Sequence, residues 1–195
     1  AVGAGSLNVK SIVLPVLSLL IISSLLGANL TSFRPVDIPV GKSPTKEIYN
    51  ALNAPSIKGQ IIETRWSAFG RTDLVNFRNY PEQMDIYIDG TSGTPMYRFS
   101  GDINKPDPAI DNLKTDFPGY LALAFLKTEE RDNALIIGPG GGRDILLALM
   151  GGVGKISAVE VNKELVDIVR EYAWYNGGIY TDLDNVSVYV DEGRN

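Results

Sequence analysis

Residues 134–149, ALIIGPGGGRDILLAL, combine a short apolar run, a glycine-rich turn and the start of an apolar helix. The apolar run leads into Gly138, and glycines allow the backbone to turn sharply and to approach a ligand without a clash from Cβ. The helix that follows presents unpaired N–H groups at its N-terminus, where polar and anionic ligand groups bind. The stretch therefore predicts a nucleotide-binding corner between a buried strand and a helix.

The glycine spacing of this corner is G-x-G-x-G. A dinucleotide fingerprint counted from Gly138 needs glycine at position 143, where Arg143 stands, so recognition of an NAD-type pyrophosphate is disfavoured. Two alternatives need no ligand: the glycines form a tight strand-to-helix turn, and Asp144 complements the helix dipole. The candidate ligand-binding residues of this corner are Gly138, Gly140, Gly141, Gly142 and Asp144.

A second β-branched run, residues 156–161, places Glu160 at the carboxyl end of the next strand. Open α/β sheets bind ligands at the carboxyl ends of their strands, and a carboxylate there accepts hydrogen bonds from both hydroxyls of a ribose. Alternatively, Glu160 is a solvent-exposed charge at the end of the strand and binds no ligand. We therefore predict that Glu160 binds the ribose of an adenosine ligand.

The segment after Glu160 predicts a further helix and strand. Asn162 is a suitable N-cap for a helix with apolar residues at i, i+3, i+4 and i+7, and glycines 177 and 178 end it. Residues 186–190, VSVYV, form a third predicted strand that leads to Glu192. Alternating strands and helices over about 60 residues indicate right-handed parallel crossovers.

The ordered motifs GPGGGRD (138–144), AVEVN (158–162) and VSVYVDEGR (186–194) resemble spermidine synthase-like, or polyamine aminopropyltransferase-like, proteins. Residues 65–71, RWSAFGR, and 88–99, IDGTSGTPMYRF, resemble the small β domain of the same family. The membrane-attached members are the most similar. The resemblance implies a class I S-adenosylmethionine-dependent methyltransferase fold, with S-adenosylmethionine or its decarboxylated form as the ligand and Glu192 on the adenine amino group.

The chain departs from the family pattern at several motif positions. Gly141 stands where the family carries an aspartate, Gly93 stands where it carries a glutamine, and the chain has no histidine for the family's D-E-x-x-Y-H element. The resemblance places the catalytic aspartate after a fourth strand, beyond Asn195, so we assign no catalytic residue. These departures favour adenosyl-ligand binding over aminopropyl transfer.

The apolar segment 11–33 contains no charged residue. A helix of 23 residues is about 34 Å long, enough for a hydrocarbon core of about 30 Å, so the segment predicts a transmembrane helix. A signal peptide and a buried globular helix are the alternatives. On this basis we expect a membrane protein with lipid contacts whose globular part lies in the cytoplasm, where S-adenosylmethionine is available.

The predicted fold class is α/β: a transmembrane helix, a small β domain, and the first half of a Rossmann-like, methyltransferase-type parallel sheet that stops after its third strand. Prolines mark an extended linker with one helical turn around residues 45–50. Period-2 alternation predicts three strands, 60–65, 72–77 and 84–89, with a turn at Asp89-Gly90. A short apolar helix is expected over 117–126, packed on the sheet. The predicted regions are 1–34 (transmembrane helix and flanks), 35–56 (linker), 57–116 (β domain) and 117–195 (partial nucleotide-binding domain).

Composition excludes several kinds of function. The net charge is −5, and no cluster of basic residues offers a surface for nucleic acid. The chain has no cysteine and no histidine, which removes disulfides, thiolate nucleophiles, histidine acid/base catalysis and the usual zinc ligands, so no metal is expected.

The leading hypothesis is a membrane-anchored transferase of an aminopropyl or methyl group that binds an S-adenosyl ligand and is active only in a complete form. The sequence ends just beyond the third predicted strand, so we expect a fragment, a partly represented protein or a truncated relative that serves as a binding partner. The alternative function is a non-catalytic structural or regulatory subunit of a membrane protein complex. A nucleotide-dependent oxidoreductase is a third and weaker hypothesis.

Overall fold

The computed structural model describes residues 9–29 and 42–194. The described residues form two compact units: residues 9–29 belong to the first and residues 42–194 to the second. The strands are β1 (Gly59–Ser67), β2 (Gly70–Phe77), β3 (Gln83–Ile88), β4 (Thr91–Tyr97), β5 (Asn133–Ile137), β6 (Lys155–Glu160) and β7 (Val186–Val190). The helices are α1 (Val9–Asn29), α2 (Glu47–Asn53), α3 (Pro108–Asp111), α4 (Leu113–Asp116), α5 (Tyr120–Phe125), a 3-10 helix (Thr128–Glu130), α6 (Arg143–Met150), α7 (Lys163–Glu171) and α8 (Ala173–Asn176).

Helix α1 is the element described in the first unit. Its apolar side chains from Val13 to Leu26 are exposed, and Ser18 and Ser24 donate hydrogen bonds to carbonyls one turn earlier. In the described part of the chain, no helix combines the length and the hydrophobicity that crossing a bilayer requires. The predicted transmembrane helix is therefore unsupported, and residues 30–33 of the predicted span lie outside the described residues.

Strands β1 to β4 form an antiparallel sheet in sequence order. Strands β1, β2 and β3 confirm the three predicted strands, and β4 is an additional strand that pairs with β3. Asp89 and Gly90 join β3 to β4 with φ of 49° and 73°, the geometry of a two-residue hairpin turn that favours Asp-Gly. The Asp-Gly signal is thus confirmed.

Helix α2 lies in the predicted linker, confirms the helical turn expected around residues 45–50 and continues to Asn53. Ile48 and Ala51 of this helix are buried against Val75, Phe77 and Tyr87 on one face of the antiparallel sheet. Burial of these two apolar residues on one face stabilises a helix longer than the single predicted turn.

Strands β5, β6 and β7 form a parallel sheet in sequence order, as predicted. Helix α7 begins after Asn162, whose side-chain oxygen accepts hydrogen bonds from the N–H groups of Glu164 and Leu165, so the predicted N-cap is confirmed. Helix α5 covers part of the helix predicted over 117–126, but its main neighbours are α4 and α6, and Phe125 is 86% exposed. The expected packing of this helix on the sheet stays a prediction.

Helices α6 and α7 lie between the two sheets, and the main core spans all three layers. Leu74 and Ile86 of the antiparallel sheet, Ile145 of α6 and Ile156 of β6 belong to one cluster of buried side chains. Polar contacts add to this packing. The amide of Asn162 donates to Thr72 Oγ1 at 3.1 Å, and Arg65 donates to Glu171 at 2.6 Å.

The second face of the parallel sheet is uncovered in the described part of the chain. Leu135 and Ile137 of β5 are 66% and 63% exposed, and Tyr189 of β7 is 55% exposed. Alternate residues of a strand point to opposite faces, so the helices cover one face and leave these side chains on the other. Parallel sheets in α/β proteins are normally covered on both faces.

We predict that Asn162→Ala lowers the free energy of unfolding by about 2 kcal/mol, because it removes both a helix N-cap and a buried hydrogen bond. Thr72→Val removes only the hydrogen bond between Asn162 and Thr72 and should lower the free energy of unfolding by about 1 kcal/mol. Chemical denaturation measures both, with the exposed Asn133→Ala as a control that should lie within about 0.5 kcal/mol of wild type. Equal losses for Asn162→Ala and Thr72→Val would contradict a separate contribution from the cap.

Candidate functional site

A cleft of about 640 Å³ lies at the carboxyl ends of the three parallel strands. The end of each strand, or the residues just after it, line this cleft: Gly138 after β5, Glu160 at the end of β6, and Glu192 after β7. The turn between β1 and β2 adds Phe69, whose side chain is 48% exposed. The cleft therefore has an aromatic group from one sheet and backbone and carboxylates from the other, within a volume typical of small-molecule sites.

The glycine corner has one glycine that faces the cleft. Gly138 has a φ of +71°, and a Cβ built on it would meet no atom within 4 Å. The conformation requires glycine, while the open space in front of the backbone leaves room for a ligand. Gly138 is thus the part of the corner that a bound molecule can approach.

The next three glycines are buried against the protein itself. A Cβ on Gly140 would lie 2.3 Å from Thr94 Oγ1, and one on Gly141 would lie 2.2 Å from the carbonyl oxygen of Pro95. Gly142 has a φ of +100° and lies against Ile179. Gly140 and Gly141 allow the corner to pack closely on strand β4, a role that needs no ligand and that the sequence did not predict.

Two hydroxyl groups fix the corner in place. Thr94 Oγ1 accepts a hydrogen bond from Gly141 N–H at 2.9 Å, and the Tyr180 hydroxyl donates to the carbonyl of Gly140 at 2.6 Å. Burial, with a further contribution from the charge of Glu160, raises the pKa of Tyr180 well above its usual value. The Tyr180 hydroxyl therefore remains a proton donor throughout the physiological range.

Glu160 forms the floor of the cleft and is 8% exposed. Its carboxylate accepts hydrogen bonds from the N–H of Gly140 at 3.4 Å and of Asn162 at 3.1 Å, one to each oxygen. A carboxylate has about four acceptor positions, so each oxygen retains capacity for a further donor. Glu160 thus connects the glycine corner to the loop that follows β6, and it can still accept a hydrogen bond from a ligand hydroxyl.

The remaining predicted residues lie in different surroundings. Glu192 lines the cleft and accepts a hydrogen bond from Arg194 Nε at 2.6 Å. Asp144 lies in the first turn of α6, with Oδ1 3.8 Å from Arg143 Nε, and does not line the cleft. Of the seven predicted residues, Gly138, Glu160 and Glu192 meet at the cleft, while ligand contact itself stays a prediction.

The structure also adds residues that the sequence analysis did not select. Phe69, Ile137, Val161 and Arg194 line the cleft. An aromatic residue at a hairpin turn, where polar residues are usual, was the available signal for Phe69. Nothing in the sequence links Thr94 or Tyr180 to the glycine corner, because these contacts join residues 47 and 40 positions apart.

Acidic groups dominate the cleft. Glu160, Asp191 and Glu192 line it together with one basic residue, Arg194, which is paired with Glu192. Among residues 9–29 and 42–194, no group of three or more potential ligands is arranged to hold a metal ion. The electrostatics favour a neutral or cationic ligand over an anionic one.

No protein-family model and no curated protein matches this chain. Among solved structures, it is similar to spermidine synthase from Thermotoga maritima, with a TM-score of 0.44 and 20% identity over 69% of this chain and 41% of that one. It is also similar to a spermidine synthase in complex with the transition-state analogue AdoDATO, with a TM-score of 0.44, 19% identity and the same coverage. The chain spans about two fifths of the length of these proteins.

We predict that Tyr180→Phe lowers the free energy of unfolding by about 1–3 kcal/mol, because it leaves the buried Gly140 carbonyl without its donor. Tyr189→Phe is the matched control: Tyr189 is 55% exposed, and loss of its hydroxyl should change stability by less than about 0.5 kcal/mol. Urea denaturation of the three proteins provides the measurement. Equal stability of Tyr180→Phe and wild type would show that the hydroxyl does not hold the corner.

Proposed function

We propose that the cleft binds an S-adenosyl ligand: S-adenosylmethionine, its decarboxylated form or methylthioadenosine. The observation that carries the proposal is the position of Glu160, a carboxylate at the carboxyl end of the second parallel strand with acceptor capacity left in both oxygens. Carboxylates in this position accept hydrogen bonds from ribose hydroxyls. The cleft volume of about 640 Å³ accommodates a nucleoside.

The charge of the cleft supports the choice of ligand. S-adenosylmethionine and its decarboxylated form carry a cationic sulfonium group, whereas a dinucleotide carries an anionic pyrophosphate. An acidic cleft attracts the sulfonium group and repels the pyrophosphate. Phe69 offers a half-exposed ring on which an adenine base can stack.

In its complete form, we propose, the protein is a transferase of an aminopropyl or methyl group, as the motif resemblance implies. No catalytic residue is assigned, and the described residues supply binding and orientation rather than chemistry. A non-catalytic structural or regulatory subunit is the second candidate. It is favoured by the engagement of Glu160 and Glu192 in contacts within the protein and by the burial of three of the four corner glycines.

Isothermal titration calorimetry with methylthioadenosine and S-adenosylmethionine tests the proposal. Glu160→Gln keeps the shape of the side chain but removes its charge, so we expect binding to weaken by about 1–2 kcal/mol, roughly tenfold. Phe69→Ala should cost a similar amount through lost stacking. Phe125→Ala is the matched aromatic control, since Phe125 is 86% exposed and does not line the cleft.

Two results would count against adenosyl binding. A folded wild-type protein that gives no heat with either ligand would favour the subunit hypothesis. Equal affinity of Glu160→Gln, Phe69→Ala and Phe125→Ala would place the ligand outside the cleft. Circular dichroism of each variant establishes that the fold is retained.

A separate prediction concerns turnover. We expect the complete protein to transfer little or no aminopropyl group from decarboxylated S-adenosylmethionine to putrescine, even where the nucleotide binds. A nucleophile misplaced by about 1 Å can lose about 100-fold in rate, and the acid expected at position 141 is a glycine here. Quantifying spermidine beside an authentic spermidine synthase measures this, and comparable turnover would overturn the expectation.

A further inference from the structure

A second cavity, of about 350 Å³, lies between helix α2 and the antiparallel sheet. Its sheet residues, such as Phe77 and Tyr87, belong to a small apolar cluster with Ile48 of α2. Their neighbours along the same strands, such as Leu74 and Ile86, belong instead to the main core. Because side chains alternate between faces, this cavity lies on the opposite side of the sheet from α6 and α7 and shares no lining residue with the cleft.

Two carboxylates line this cavity. Asp85 accepts hydrogen bonds from Gln83 Nε2 at 2.7 Å and from the Tyr87 hydroxyl at 3.0 Å, and Glu47 accepts from Gly93 N–H at 2.9 Å. Burial raises the pKa of Asp85 and the charge of Glu47 adds to the rise, although the hydrogen bonds from Gln83 and Tyr87 oppose it. In the described residues, neither carboxylate forms an ion pair with a lysine or arginine.

Aromatic side chains supply the other walls. Phe77 and Tyr87 are buried, whereas Tyr80 is 54% exposed at the rim of the cavity. The face of an aromatic ring attracts a cation through its quadrupole, and the attraction grows when the cation is removed from water. Carboxylates beside aromatic rings therefore suit a cation that also has an apolar part.

A hard metal ion fits these walls poorly. Calcium and magnesium take six or more oxygen ligands, and the described chain holds no group of three suitable side chains. Apolar side chains make up much of the lining, including Ala51, Ile57 and Phe77. An organic cation uses both the charged and the apolar surfaces.

We propose that this cavity binds a small organic ammonium ion, with Asp85 and Glu47 accepting its N–H groups and the face of the Tyr80 ring attracting its charge. The ligand class is a primary alkylammonium of a few carbon atoms, set by the cavity volume of about 350 Å³. The site stands independently of the proposed adenosyl function, since it uses different residues on the other side of the antiparallel sheet.

Titration of the isotope-labelled 195-residue chain with n-butylammonium, followed by ¹H–¹⁵N NMR, tests this site. We expect saturable shifts of amides in residues 47–51 and 83–87, and at least tenfold weaker binding of n-butanol, which has a similar chain but no charge. Asp85→Asn should weaken n-butylammonium binding about tenfold. Tyr80→Leu removes a rim ring that the core does not need and should weaken it about threefold.

Glu82→Gln is the matched control, because it changes the net charge by the same amount as Asp85→Asn at an exposed acid that does not line the cavity. Its affinity should stay within twofold of wild type. Three results would each overturn the proposal. The first is equal affinity for n-butanol and n-butylammonium, and the second is equal loss of affinity in Glu82→Gln and Asp85→Asn. The third is the absence of any shift in the cavity amides of the folded wild-type protein. If Asp85→Asn fails to fold, the affinity of Tyr80→Leu for n-butylammonium tests the proposal instead. An affinity equal to that of the wild type would overturn the proposal.

Discussion

The close contact between the glycine corner and strand β4 determines where the candidate cleft lies. Gly141 donates to Thr94 Oγ1, and a Cβ at this position would lie 2.2 Å from the Pro95 carbonyl oxygen. No side chain fits between two backbones at that distance, so only glycine allows the approach. The contact ties the start of α6, and with it the end of β5, to the antiparallel sheet.

The position of this corner sets the geometry of Glu160. One oxygen of its carboxylate accepts from Gly140 N–H in the corner, and the other accepts from Asn162 N–H, at the N-cap of α7. Asn162 in turn donates to Thr72 of the antiparallel sheet. A chain of hydrogen bonds thus connects both sheets through the floor of the cleft, and a change in any of these groups is expected to alter both stability and binding.

The candidate cleft and the cavity beside α2, both in the second unit, are formed by different kinds of elements. The cleft is formed where three strands end and a hairpin from the other sheet approaches, so its groups come from four places in the chain. The cavity beside α2 is formed by one helix and neighbouring strands of a single sheet. Acidic groups line both sites, which agrees with the net charge of −5 and with a preference for cationic ligands.

The sequence by itself determined the elements that depend on local physics. Alternating apolar residues specified strands β1, β2 and β3, the Asp89-Gly90 pair specified the hairpin turn, and Asn162 specified the start of α7. The parallel order of β5, β6 and β7 followed from the alternation of strands and helices. Local signals sufficed here because turn dihedrals, capping bonds and side-chain periodicity involve residues close together in the chain.

Only the tertiary structure decided which of the predicted residues face the cleft. Gly138 and Gly141 look alike in the sequence, yet one has open space in front of it and the other lies against Pro95. One helical turn was predicted around residues 45–50, but helix α2 continues to Asn53, because Ile48 and Ala51 are buried against the antiparallel sheet. The predicted membrane span is unsupported in the described part of the chain. Packing between segments distant in sequence decides such features. A pattern of neighbouring residues does not reveal which distant segment packs against them.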